Sequence, residues 1–168
     1  MNDVEIVPLA ADEWQDLKRL RIAALTESPD SFSPTAESAR AHDDAYWRRG
    51  AQRAATAEGF KLFIVRRDGE GLGLASAQRD ENGVGHIGAM WVDPVLRGRG
   101  VGARLFDTVV TYLRGIHCAM IELSVTETNT AAIALYQSRG FVLTGQSEPL
   151  RPGSPLANLF MRSARANP

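Results

Sequence analysis

The stretch DPVLRGRGVG, residues 93–102, alternates Gly98, Gly100 and Gly102 with Arg97, Arg99 and Val101 between a strand-like run and a strongly apolar helical one. A chain that leaves a strand, turns through glycines and starts a helix aims several unpaired backbone N–H groups at one point. The aligned peptide dipoles then favour an anion there by roughly 0.3–1 kcal/mol per charge at exposed sites. Glycine also lets a phosphate approach with no Cβ in the way. The stretch is not a dinucleotide fingerprint, because its glycines have the wrong spacing and arrive late in the chain. It is not a P-loop either, because no lysine follows Gly102. Local chemistry leaves two readings open: a phosphate cradle, and a glycine-rich turn with solvated arginines.

The elements that must hold this turn follow from the apolar spacing. After it, Val101, Leu105, Phe106, Val109, Val110 and Leu113 form a helical stripe, closed by Gly115. Before it, residues 84–92 read as a strand holding Gly85 and Gly88, glycines expected to loosen it for a close neighbour. Upstream lie a strand at 4–9, an amphipathic helix through Trp14, Leu17 and Leu25, and a proline- and serine-broken loop at 26–34. A second helix spans 36–57, and a hairpin joins 60–67 to 72–79 around DGEG. Downstream come a strand at 119–125, a short helix ending near Ser138 before Gly140, and strands at 141–146 and 156–162. The alternation from residue 84 onward implies some parallel pairing, and the earlier hairpin implies antiparallel pairing. The tail ARANP reads as frayed.

Two strings then carry a resemblance. MWVDPVLRGRGVGARL resembles the acetyl-CoA signature of the GNAT (GCN5-related N-acetyltransferase) superfamily, Arg/Gln-x-x-Gly-x-Gly/Ala after a strand ending Val-x-Pro, with Arg97, Gly100 and Gly102 in the signature positions. ETNTAAIALYQSRGF is similar to the superfamily's next motif through Asn129, Tyr136 and the Arg-Gly-Phe of 139–141. Together they cover about residues 84–146, and LRIAALTESPDSFSPT is similar to a segment found in many bacterial members. The resemblance implies one N-acetyltransferase domain over residues 1–168. It implies an α/β (α+β) fold whose mixed, mostly antiparallel central sheet of roughly six or seven strands is flanked by about four helices. It also implies transfer of an acetyl group from acetyl-CoA to a primary amine by direct attack in a ternary complex, without a metal. Dimerisation is common in the family.

By that resemblance the pantetheine arm lies along Met90, Trp91 and Val92, and the Val92 amide donates to the thioester oxygen as negative charge develops on it. Amides of Arg97, Gly98, Arg99, Gly100, Val101, Gly102 and Ala103 hold the pyrophosphate. Asn129 caps the next helix, contacts the cofactor, or does both. Tyr136 resembles the family's acid. A phenol of pKa about 10 protonates a thiolate whose thiol sits near 8.5 with little driving force, so position must do much of the work. An aromatic packed on the sheet is the plainer reading of Tyr136.

The base departs from the family pattern. Many members use a Glu on the strand before the signature, and here that strand offers only His86, on the parity of Met90 and with an intrinsic pKa suited to the task. Glu122, facing away from Ile121 and Leu123, is the other candidate, acting through water. Each equally reads as a satisfied polar residue. Arg99 and Arg104 read as solvated, HDD at 42–44 as a solvated helix face, and Phe32 as either an acceptor-site wall or a loop anchor.

Composition sets the outer bounds. The 168 residues suit one domain with one core, and 44% apolar against 23% charged residues is the balance of a globular protein. Nineteen Lys and Arg face 20 Asp and Glu, which gives no general attraction to nucleic acid or to a membrane surface. The N-terminus lacks a basic start followed by an apolar core, and Cys118 is the one cysteine, with no zinc spacing around it. A cytoplasmic enzyme is expected. A non-catalytic acetyl-CoA sensor is the alternative class, although it would not need Tyr136. The acceptor, a small molecule or a peptide amine, is left open among antibiotic, polyamine, amino acid and protein N-terminus.

Overall fold

A computed structural model describes residues 4–163, so the ARANP tail lies outside the described residues. Strand β1 (Glu5–Pro8) leads into helix α1 (Trp14–Glu27), a 3₁₀ turn at Pro29–Ser31, and helices α2 (Ala36–Arg40) and α3 (Asp44–Thr56). Strands β2 (Phe60–Arg67), β3 (Glu70–Arg79) and β4 (Gly85–Val92) follow, then a 3₁₀ turn at Pro94–Leu96 and helix α4 (Val101–Gly115). The chain closes with β5 (Ile121–Thr126), α5 (Thr130–Ser138), β6 (Phe141–Pro149) and β7 (Ala157–Ser163). The seven strands form one sheet in the order β1-β2-β3-β4-β5-β7-β6, and only β4 and β5 pair in parallel. This is the mixed, mostly antiparallel sheet that the sequence predicts.

Each face of the sheet buries its own core. The α4 stripe packs Val101, Leu105, Phe106, Val109 and Leu113 onto Val65, Ala75, Ile121 and Met161. On the other face, Leu20 and Ala24 of α1 and Trp47 and Ala51 of α3 cover Ile64 and Leu74. The β2–β3 turn places Asp68 and Gly69 at φ 53° and 80°, the left-handed pair that matches the twist of a tight hairpin.

The single helix expected at 36–57 is two. Thr35 and Ser38 form a reciprocal cap on α2, and Asp43 accepts from the Tyr46 amide at 2.9 Å to start α3, so the chain restarts its helix at HDD. Asp43 is therefore a cap rather than part of a solvated face, while Asp44 pairs with Lys18 at 2.8 Å.

One irregularity governs the site. Ser76 pairs with Gly88 but Leu74 pairs with Trp91, so β4 carries one extra residue opposite Ala75. The bulge falls at Ala89, whose φ is 52°. Below it, β4 pairs with β5 only from Gly85 to Ile87; above it, β4 and β5 have no further pairing. The glycines expected to loosen this strand do other work. A Cβ on Gly85 would lie 3.1 Å from Leu113 Cδ1 and 3.2 Å from Cys118 Cβ, and one on Gly88 would lie 2.9 Å from Ser76 Oγ. They let helix and strand approach, and the opening belongs to Ala89.

Candidate active site

Above the bulge a cleft opens between β4 and β5. Two cavities share Met90, Asn129 and Tyr136 as walls: one of about 170 Å³ reaching Phe32 and Asn158, and one of about 360 Å³ running along the start of α4. Every residue expected at the cofactor lines this second cavity except Arg99.

The glycine turn owes its path to its dihedrals. Gly98 and Gly100 adopt φ 72° and 75°, left-handed values at which a side chain is strained, and they swing the chain from the 3₁₀ turn into α4. The first α4 amide with a backbone acceptor is that of Arg104, bonded to the Gly100 carbonyl at 3.0 Å. The amides ahead of it, Gly98 to Ala103, have no backbone acceptor among the described residues. The Arg97 amide, expected among these donors, is already bonded to the Pro94 carbonyl at 3.2 Å, so the run of unpaired amides starts at Gly98. The Arg97 side chain folds back along the end of β4, with Nε donating to the Val92 carbonyl at 2.9 Å. Arg104, expected to be solvated, donates to the Val4 carbonyl at 2.9 Å. The Asp93 amide bonds the Leu72 carbonyl across β3, so by strand alternation the N–H and C=O of Val92 face the open side.

Tyr136 stands where the two cavities share walls. It is 6% exposed, its ring packs 4.8 Å from that of Phe106, and burial pushes its phenol up to about 12. Asn129 caps α5, its Oδ1 accepting from the Ala132 amide at 3.2 Å, while lining both cavities.

Comparison with known proteins decides the family. Residues 17–141 match the acetyltransferase (GNAT) family. The chain belongs to that family. It is 31% identical over 127 residues to a mycothiol acetyltransferase of Thermobispora bispora, covering 73% of this chain and 40% of that protein. The chain thus spans half or less of the first curated relatives it matches. Among solved structures, a GNAT-family acetyltransferase from Streptococcus pneumoniae superposes with a TM-score of 0.84 at 16% identity, covering 98% of this chain and 100% of that one. The yncA protein of Salmonella typhimurium, solved with its cofactor acetyl-CoA, gives a TM-score of 0.75 at 18% identity over 99% and 98% of the two chains.

In this GNAT chain the two candidate bases lie outside the cleft. His86 and Glu122 face each other in the paired, closed part of β4 and β5, and neither lines either cavity. His86 Nε2 lies 2.9 Å from Asp80 Oδ2, and Glu122 pairs with Arg162 at 2.6 Å. The parity that aligned His86 with Met90 breaks at the bulge. Ile87 and Met90 both pack into the α4-side core, which leaves His86 on the opposite face from Met90. Among the described residues no group of His, Cys, Asp and Glu gathers to hold a metal, and no helix is long and apolar enough to cross a membrane.

The GNAT turn has a brace that the motif reading missed. Glu27, in the last turn of α1, accepts from Arg97 Nη1 and Nη2 at 3.1 and 2.6 Å, from Trp91 Nε1 at 2.9 Å, and from the Ser28 hydroxyl. An acid at a helix C-terminus opposes the macrodipole, and that was the available signal that a cation waits for it. Chiefly the Arg97 hydrogen bonds hold its carboxyl down at about 2. Its folded value lies below the ordinary 4.5, so its stabilisation is complete above pH 4.5 and is lost as pH falls toward 2. Glu27→Gln therefore lowers Tm at pH 7, and thermal melts at a series of pH values show the gap closing across that window. A gap unchanged down to pH 2 would mean that the charge of Glu27 is irrelevant.

Proposed function

We propose that this chain, as a single N-acetyltransferase domain, transfers the acetyl group of acetyl-CoA to a primary amine by direct attack in a ternary complex. The observation that carries the reading is the β4–β5 opening. It puts the amides of Gly98 to Ala103, the outward-facing N–H of Val92 and the Tyr136 phenol along one continuous wall. The residues suit a CoA diphosphate: a Cβ built on Gly102 meets nothing within 4 Å, and the amide donors need no side-chain charge.

When bound, the thioester supplies an activated acyl carbon, at which a C–N bond forms as the C–S bond breaks. The Val92 N–H donates to the acyl oxygen, a hydrogen bond that strengthens as charge develops there. Tyr136 holds a proton throughout the neutral range and gives it to the departing sulfur. Transfer from a phenol near 12 to a thiolate whose thiol normally sits near 8.5 runs uphill. The same desolvation raises the thiol, which narrows the gap.

No carboxylate or imidazole among the described residues lines the cleft, so the acceptor amine gives its proton to water. The acid limb of the kcat/KM profile then follows the acceptor's own pKa, and His86→Ala and Glu122→Gln leave it in place. A limb displaced in His86→Ala would restore the imidazole as base. Such an enzyme works where acetyl-CoA is supplied, in the cytoplasm.

Thermal melting tests the cofactor. Acetyl-CoA at about 100 times its Kd stabilises by roughly 2.7 kcal/mol, a Tm rise of about 5–10 °C for a chain this size. NAD and ATP give no comparable rise, and an unmoved Tm with acetyl-CoA would sink the reading.

A further inference from the structure

Behind Ala89, under α1, α2 and α3, lies a further cavity of about 420 Å³, walled by Leu25, Trp47, Phe60, Leu62 and Leu74. Its size falls in the ~300–1,000 Å³ range of small-molecule sites. Arg21, Pro34 and Ala89 belong both to its wall and to that of the 170 Å³ cavity beside Tyr136, so the two adjoin at Arg21.

Two buried donors in this wall have no partner. Nη1 of Arg21 and the indole N–H of Trp47 are both enclosed without a hydrogen bond, and Trp47 is only 4% exposed. The Arg21 guanidinium rests 5.1 Å from the centre of the Phe32 ring and has no ion-pair partner among the described residues. Buried polar groups are paired in the great majority of folded proteins, and an unpaired charged donor is the costliest exception. Of the two, the charged Arg21 donor is the one that calls for acceptor atoms from a ligand. The charge of the walls narrows the class: Arg21, Arg49 and Arg53 line the two cavities and no carboxylate does, which repels a polyamine and draws an anion.

We infer that the acceptor is a small amine bearing a carboxylate and an apolar body, in the manner of an apolar α-amino acid. Its carboxylate sits on Arg21, its apolar body lies among Trp47, Phe60 and Leu74, and its amine extends past Ala89 toward Tyr136. The inference rests on the acetyl-transfer reading. A bound carboxylate also relieves the guanidinium, which burial pushes below its usual value. A peptide amine brings only a neutral carbonyl to Arg21 and gains less.

The test is thiol release at saturating acetyl-CoA with L-phenylalanine, L-phenylalaninamide and 2-phenylethylamine, each rate referred to the unprotonated amine. The acid is preferred over the amide and the plain amine by about 10- to 100-fold in kcat/KM, the size of one charge-assisted bond pair. Arg21→Met raises KM for the acid by that factor, changes KM for the amide far less, leaves KM for acetyl-CoA in place, and so erases the preference. Arg21→Lys restores part of it. If Arg21→Met fails to fold, the three-substrate comparison on the unmodified protein decides by itself. Equal rates, preference for the plain amine, turnover of none of the three, or a preference that survives in Arg21→Met overturns the inference. Failure of acetyl-CoA to bind would instead bring down the acetyl-transfer reading, and the melting experiment reports that separately.

Discussion

Tyr136→Phe lowers kcat by about 100-fold or more, the lower end of what a positioned proton donor contributes, while KM for acetyl-CoA and Tm stay close to their original values. The substitution keeps the ring and its packing on Phe106, which in turn stacks edge-on against Phe141 at 5.2 Å. It removes only a hydroxyl at the cavity wall, so the fold loses little. Because burial pushes the phenol up to about 12, the unmodified enzyme shows no alkaline loss of kcat below about pH 10 from this group. Steady-state rates across pH for both proteins check the claim. A variant with full kcat at saturating substrates would leave Tyr136 as a packing aromatic.

Gly102→Glu separates the cradle from the fold. A Cβ at residue 102 meets nothing within 4 Å and needs no left-handed backbone, so a side chain can start there without displacing the fold. An acid in the first turn of α4 is even favoured by the macrodipole. It does, however, set a carboxylate where the diphosphate would accept from the Gly98 to Ala103 amides. Loss of those charge-assisted bonds, plus repulsion, raises KM for acetyl-CoA by about 100-fold or more. Tm without ligand stays level, and the rise with acetyl-CoA disappears. Gly102→Ala, with a single methyl in the same space, has a much smaller effect. Equal acetyl-CoA binding by Gly102→Glu and the original protein would remove the diphosphate from this turn.

What could be read in the sequence, and what could not, follows from how local each feature is. The α4 stripe is set by residues four and five apart, and its spacing alone shows which face is buried: Val101, Leu105, Phe106, Val109 and Leu113 all are. The turn at Gly98 and Gly100 is equally local, because its left-handed dihedrals call for glycine. The split between α2 and α3 was present in HDD, whose Asp43 is a cap, but an Ala- and Arg-rich run hid it. The bulge at Ala89 could not be read, since alanine gives no hint of φ 52° and pairing with β3 and β5 decides the break. The placement of His86 failed for that reason: alternation counts faces correctly only while no residue is inserted. Nothing in the sequence marks Arg21 or Trp47, because their lack of partners is a property of the folded surroundings.

On the proposed reading, coenzyme A occupies the opening between β4 and β5, with its diphosphate on the start of α4 and its sulfur at Tyr136. A crystal structure of the protein with acetyl-CoA tests this most directly. The expected complex has diphosphate oxygens within hydrogen-bond distance of the amides between Gly98 and Ala103, the acyl oxygen on the Val92 N–H, and the sulfur within reach of the Tyr136 hydroxyl. Acetyl-CoA bound outside this cleft, or bound in it with the diphosphate away from the glycine turn, would contradict it.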